Sequence, residues 1–270
     1  MTSSRRMEFE SHPVSTGEIS HDVYLGPVRG PGVLLIHELA GLTENTFELA
    51  ETITAAGFTV AVPHLFGRVR GEGTGAMASG IAGLLGRCIA REMSVFFREQ
   101  PRKGTNWLQA AVSWLGENTE SPRGVGVIGM CATGSFAMAT VVDPAVGVVI
   151  GSQAASPAFR PAGWSVPGGD QAIGRSEAAV MVLRFRDDRK SAKARVEQIP
   201  VLRGKTPVIR HEGPDDPSLP HCARGIEVWD ADRMRVVWAS GSGHSVLNFD
   251  RVDLAVDEVV SFLTQYLRTP

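Results

Sequence analysis

The chain has 270 residues, 43% of them hydrophobic and 21% charged, with a formal net charge of −2. That balance belongs to a chain able to bury about three quarters of its surface in a full core, and it excludes an intrinsically disordered protein. Near-neutral charge with no long basic run likewise gives no reason to expect nucleic acid or an anionic membrane as a partner.

The first residues, Met-Thr-Ser-Ser-Arg-Arg, lack the apolar stretch of a secretory signal and read as a leading strand or tail. No apolar run approaches the ~20 residues that span a bilayer, so a cytoplasmic location is expected. Gly32 to Glu38, opened by Pro-Gly, is a short continuous apolar run of the kind found in parallel strands buried on both faces. Thr43 to Ala56 carries Phe47, Leu49, Ala50 and Ile53 at helical spacing, and Gly57 ends it. Phe58 to Val62 is the next strand, stopped by Pro63. Strand, helix and strand in this order make a βαβ unit, hence an α/β fold with a mostly parallel central sheet and helices on both faces.

Gly67 to Gly80 is glycine-rich and reads as a loop, and Ile81 to Phe97 as a helix. Trp107 to Gly116 is helical, with Trp107, Leu108, Ala111, Trp114 and Leu115 on one face. Gly124 to Gly129 is another apolar strand, followed after Cys131 by a helix from Phe136 to Val142. Ala145 to Ile150 and Ala178 to Phe185 supply two more strands, separated by a Gly/Pro-rich loop from Gly151 to Gly174. Arg203 to Asp232, with its Gly-Pro-Asp-Asp-Pro cluster, reads as an irregular excursion near the site. Arg235 to Ala239 is the last strand, and Val252 to Leu267 an amphipathic closing helix. Without repeats or a linker, residues 1–270 are expected to form one domain, with excursions near 67–105 and 203–232.

Three motifs carry the chemistry. Gly129-Met130-Cys131-Ala132-Thr133-Gly134 lies between an apolar strand and a helix. A nucleophile on a sharp strand-to-helix turn needs small neighbours, and a thiol there gains from the helix dipole. The Ala132 N–H then points where an oxyanion forms. The plainer reading is a packed free cysteine. Gly241-Ser242-Gly243-His244-Ser245 follows the last strand, and there His244 is either a general base or an ordinary loop residue. Arg184-Phe185-Arg186-Asp187-Asp188 ends a strand in two acids. Either acid suits the orientation of an imidazole; Asp188, further into the loop, is favoured, and it also reads as a helix N-cap.

Ile36-His37-Glu38-Leu39-Ala40-Gly41 ends an early strand, where the Leu39 N–H is a candidate second oxyanion donor. His37 reads as a buried, satisfied histidine rather than a base. Glu38, entering a pocket near a thiol, would oppose its ionisation or accept its proton. The three cysteines, Cys88, Cys131 and Cys222, include no C-x-x-C pair, and the seven histidines include no H-E-x-x-H. That argues against a disulfide framework and a zinc hydrolase, and a redox role would want a resolving cysteine close to Cys131.

In the order nucleophile, acid, base, with His37-Glu38-Leu39-Ala40-Gly41, Val62-Pro63-His64-Leu65-Phe66-Gly67-Arg68, Gly129-Met130-Cys131 and Gly243-His244-Ser245, the chain resembles the dienelactone hydrolase family of α/β-hydrolases. The resemblance implies a cofactor-independent hydrolase of an ester or lactone, a small-molecule partner, and a Cys131, His244 and Asp188 triad. It further implies oxyanion amides at Leu39 and Ala132, and a pocket glutamate, Glu38, in contact with the cysteine. Three positions depart from the family pattern: Thr133 stands where glycine is frequent, His64 where aspartate is common, and Asn248 where an arginine grips a substrate carboxylate. Arg91 offers another cationic contact. An amide lacks the bidentate charged grip of a guanidinium, so dienelactone itself is left open as substrate. The alternative is a non-catalytic protein that binds acids or lactones on the same fold.

Overall fold

The computed structural model describes residues 7–17, 19–66, 101–154 and 169–268. The chain opens with strands β1 (Glu10–Thr16), β2 (Ile19–Leu25) and β3 (Gly32–Ile36), then helix α1 (Glu44–Ala55), β4 (Thr59–Pro63) and helix α2 (Pro101–Glu117). Next come β5 (Val125–Met130), α3 (Gly134–Ala139), β6 (Val146–Ser152), α4 (Gly169–Arg175) and β7 (Ala179–Phe185). The final third holds α5 (Lys193–Glu197), α6 (Ile199–Leu202), β8 (Val208–Glu212), β9 (Ile226–Ala231), β10 (Met234–Ala239) and α7 (Asp253–Leu263). The loop and helix expected over Gly67 to Phe97, with Arg91, lie outside the described residues.

These strands form one ten-stranded sheet in the order β1-β2-β4-β3-β5-β6-β7-β10-β9-β8. Its centre, from β4 to β10, is parallel; an antiparallel wing is added at each end, by β1 and β2 on one side and β9 and β8 on the other. The central strands are apolar because both their faces are covered. Along β3, Val33 and Leu35 pack into one core with Phe47, Leu49 and Ile53 of α1 and Val256, Val259 and Phe262 of α7. Leu34 and Ile36 point the other way, into a second core with Trp107, Leu108 and Leu115 of α2, Phe136 of α3 and Ile173 of α4. Helices therefore lie on both faces, and the period of two along a strand assigns each residue to its layer. The Trp107 indole N–H donates to the Val14 carbonyl over 2.9 Å, fixing α2 to the outermost strand.

Two boundaries depart from the sequence reading. Gly151 and Ser152 continue β6, because they pair with Val182 and Leu183 of β7 rather than starting a loop. The Arg203 to Asp232 segment is not wholly irregular: β8 and β9 within it pair antiparallel with each other, and β9 with β10. β7 is consequently not the penultimate strand of the chain, yet it lies directly beside β10 in the sheet. That adjacency brings the loops after β7 and β10 together.

Candidate active site

Cys131 follows the last residue of β5, and its backbone takes φ +57°. A non-glycine residue in this left-handed region carries strain and turns the chain sharply, which lifts the side chain off the end of the sheet. Residues Cys131–Thr133 form a single 3₁₀ turn that runs directly into α3. The turn is tight enough that a Cβ on Gly129 would collide with the Thr133 carbonyl, so position 129 requires glycine. Thr133, standing where the family frequently has glycine, stitches the turn. Its fully buried Oγ1 accepts from the Met130 N–H at 3.0 Å and lies 2.8 Å from the Met130 carbonyl, 3.1 Å from that of His37 and 3.2 Å from that of Ile36. One hydroxyl thus ties the thiol's turn to the end of β3.

The loops after β7 and β10 meet the thiol. His244 Nε2 lies 3.2 Å from Cys131 Sγ, and His244 Nδ1 lies 2.9 Å from Asp188 Oδ2. Of the two adjacent acids, it is Asp188 whose carboxylate reaches the imidazole. That carboxylate also accepts from the Lys190 N–H at 2.8 Å and from the Ser191 hydroxyl. Burial disfavours charge on Asp188, but these hydrogen bonds outweigh it and hold the carboxyl below its ordinary range. Burial likewise opposes charge on His244, yet hydrogen bonds to Asp188 and Cys131 outweigh it and lift the imidazole from 6.5 to about 9. Arg184 on β7, almost fully buried, secures the acid's loop by donating to the Asp188 carbonyl and, over 3.0 Å, to Ser191 Oγ.

The histidine loop has its own supports. Asp250 Oδ2 accepts from the backbone N–H groups of His244 at 2.8 Å and Ser245 at 3.1 Å. Arg224, just before β9, donates to the Ser242 carbonyl at 2.9 Å and to those of Leu219 and Pro217. A Cβ at Gly243 would enter the Phe185 ring, so glycine there lets the loop press against the end of β7. The excursion between β7 and β10 therefore braces the imidazole.

His37 is fully buried, with Nδ1 2.6 Å from the Glu38 carbonyl and Nε2 accepting from the Leu65 N–H at 3.2 Å. Burial pushes it down to about 4, which keeps it neutral. It acts as a structural clamp, as its sequence context suggested. Glu38 is buried as well, and burial raises its carboxyl above the ordinary range. Its Oε1 accepts from Gln153 Nε2 at 2.8 Å and from the Ser245 hydroxyl. Among the described residues Glu38 makes no hydrogen bond to Cys131, whose partner is His244. Leu39, in the turn closed by the Gly41 N–H to Glu38 carbonyl bond of 3.0 Å, is exposed, and Ala132 is buried beside the thiol.

Gln153, Ser245, Asp250 and Arg224 were not anticipated as site residues. Gln153 has φ +34° just after β6, the strand next to the thiol's own. Among the described residues no cluster of His, Cys, Asp and Glu is arranged to hold a metal ion, and no helix is long and apolar enough to cross a membrane.

A parallel-centred sheet covered by helices, with a strained cysteine turn after one strand and an acid and a histidine after two adjacent others, defines the α/β-hydrolase fold. Residues 23–161, just over half of the 270, match the dienelactone hydrolase family, and the chain belongs to that family. Among solved structures it resembles a candidate dienelactone hydrolase from Klebsiella pneumoniae, at 12% identity and TM-score 0.64, covering 98% of this chain and 100% of that one. It is also similar to a dienelactone hydrolase from Anabaena variabilis, at 14% identity and TM-score 0.55, covering 98% and 100%. A third likeness, to a 2,6-dihydroxy-pseudo-oxynicotine hydrolase, has 14% identity and TM-score 0.61, covering 96% of this chain and 68% of that one. At such identities these likenesses speak to the fold. No curated protein matches in sequence.

Proposed function

We infer that the chain is a cofactor-independent hydrolase of a carboxylic ester or lactone, acting through Cys131, His244 and Asp188. The observation that carries the reading is the relay itself: a half-buried thiol on a φ +57° turn, 3.2 Å from an imidazole that is 2.9 Å from a buried carboxylate.

His244 takes the thiol proton, and the Cys131 thiolate forms a bond to the carbonyl carbon as the carbon–oxygen π pair moves onto oxygen. The N–H groups of Leu39 and Ala132 hold that oxyanion. Its collapse expels the alkoxide, which takes the proton from His244, and leaves a thioester on Cys131. Water then gives a proton to neutral His244 and attacks the thioester; the acid leaves and the thiolate recovers the proton. Asp188 keeps Nδ1 protonated and steadies the imidazolium throughout. Glu38, tethered to Ser245 and Gln153 and in the field of His244, is placed to tune the pair rather than to react.

Steady-state hydrolysis of an activated acetate ester by wild type and Cys131→Ala tests the reading. Loss of turnover in the variant, with its fold intact, is the expected result. Equal rates in both proteins would contradict a thiol nucleophile, and no turnover in either would favour the non-catalytic binding protein.

A further inference from the structure

One acid beside the relay has no step of its own. Glu38, 7% exposed, follows β3, the strand next to the one that leads into Cys131. Its Oε1 accepts from Gln153 Nε2 at 2.8 Å and from the Ser245 hydroxyl. The two donors come from different strand ends, Gln153 just after β6 and Ser245 in the loop after β10. Ser245 is the residue after His244, so the carboxylate is held on the histidine loop, and Cys131 keeps His244 as its hydrogen-bond partner. A carboxylate this buried needs such donors to carry charge.

Gln153 is fitted to that contact. It is fully buried, and its backbone takes φ +34°, in the left-handed region where a non-glycine residue is strained. Glycine would take this turn without strain but would bring no amide. The Gln153 N–H donates to the Leu183 carbonyl of β7 at 2.5 Å, which fixes the backbone one residue past the strand. Its side-chain oxygen accepts from the Ser152 hydroxyl. With that oxygen engaged, the amide is oriented with its nitrogen, a donor, toward Glu38. Among the described residues the Gln153 side chain makes no hydrogen bond to Cys131, His244 or Asp188.

We propose that Gln153 is a positioning residue for the hydrolytic site: its amide holds the Glu38 carboxylate on Ser245 and off Cys131, so that the thiol stays paired with His244. The inference rests on the reading of Cys131 as the nucleophile. A carboxylate released from the amide is a competing acceptor for the thiol proton, and its negative charge beside sulfur opposes the thiolate. The charged groups facing Glu38 are His244, which favours its ionisation, and Asp250, which opposes it; His37, its neighbour in the chain, is neutral above about pH 4. Cys131 faces His244, which is backed by Asp188.

Second-order labelling of Cys131 by iodoacetamide, followed on its own peptide by mass spectrometry, reads the state of the thiol without any ester turnover. Gln153→Leu removes the amide at similar volume. Gln153→Gly removes it while relieving the strain of φ +34°, so that one folded variant serves where the other is unstable. In both, the rate at pH 7 is expected to fall about tenfold and the pH profile to move up by about one unit. In a Glu38→Gln background, where no carboxylate is left to hold, the same substitutions are expected to change the rate by no more than about twofold. Unchanged labelling in the single variants overturns the proposal. An equal fall in the Glu38→Gln background also overturns it, because Gln153 would then act on the thiol without Glu38. Labelling needs no ester, so its outcome decides the role of Gln153 even where ester turnover proves independent of Cys131, the result that sinks the hydrolytic reading itself.

Discussion

His244 stands between two groups with opposite demands on its protons. The Asp188 carboxylate favours the imidazolium, while the proposed hydrolysis needs a neutral ring at the moment water is activated. The balance lies toward charge: hydrogen bonds to Asp188 and Cys131 outweigh burial and lift the ring to about 9. In the proposed reaction, acylation of Cys131 would remove one partner, so the ring would lose its proton more readily once the thioester had formed, which is when a base is required. Replacing Asp188 by Asn removes the other partner. The expected outcome is a fall of about 10⁴ in kcat for ester hydrolysis, together with a histidine titration displaced below about 9 in NMR spectra. Unchanged values of both would remove Asp188 from the mechanism. Glu38 shows the same logic with the signs reversed: burial raises its carboxyl, and hydrogen bonds from Ser245 and Gln153 only partly offset that.

At the scale of elements, the site is a meeting of five strand ends, and two small devices keep it assembled. Thr133 joins the β5 turn to the end of β3. Thr133→Val keeps the shape but strands the Met130 N–H and the carbonyls, so a loss of about 1–3 kcal/mol in unfolding free energy is expected in urea titrations. Arg224, reaching from the segment before β9, anchors the Ser242 carbonyl. Arg224→Ala is expected to loosen the histidine loop and lower kcat/KM by about tenfold, or ~1.4 kcal/mol of transition-state stabilisation, with a much smaller change in global stability. How far these features were legible in sequence follows from their physics. The central strands are apolar on both faces and bounded by Gly and Pro, so Cys131, Asp188 and His244 were locatable as residues following such runs. β8 escaped notice because it is an edge strand: Val208, Ile209 and His211 are exposed while Arg210 and Glu212 are half-buried, so no alternation marks it. Its charges also suit an edge, where an apolar run would invite pairing with another chain. Gln153 and Asp250 were illegible for a different reason. Their roles rest on partners that only the folded sheet supplies, Glu38 from 115 positions away for Gln153, and the histidine backbone for Asp250.

Across the whole molecule, the two helical layers and the antiparallel wings frame a site built at the carboxyl ends of parallel strands, where α/β folds place their ligands. Within this framework the buried His37 links stability to acid pH. The buried imidazole stays neutral down to about pH 4, whereas in the unfolded chain it takes a proton near its ordinary 6.5. Its contribution is therefore fully present above pH 6.5 and is lost as pH falls toward 4, amounting to about 3 kcal/mol. Glu38, raised by burial, works in the opposite sense at the acid end. Urea midpoints measured from pH 7 to pH 4.5 should fall in wild type and fall less in His37→Gln; parallel curves would remove His37 as the cause. The central claim, that Cys131 attacks a carbonyl carbon, is tested most directly by the intact mass of the enzyme quenched in acid during turnover of an activated acetate ester. The account predicts a single acetyl group on the wild-type chain, mapped to Cys131 and absent from Cys131→Ala. Rapid turnover with an acetyl group on another residue, or an acetyl group that persists in the variant, would contradict it.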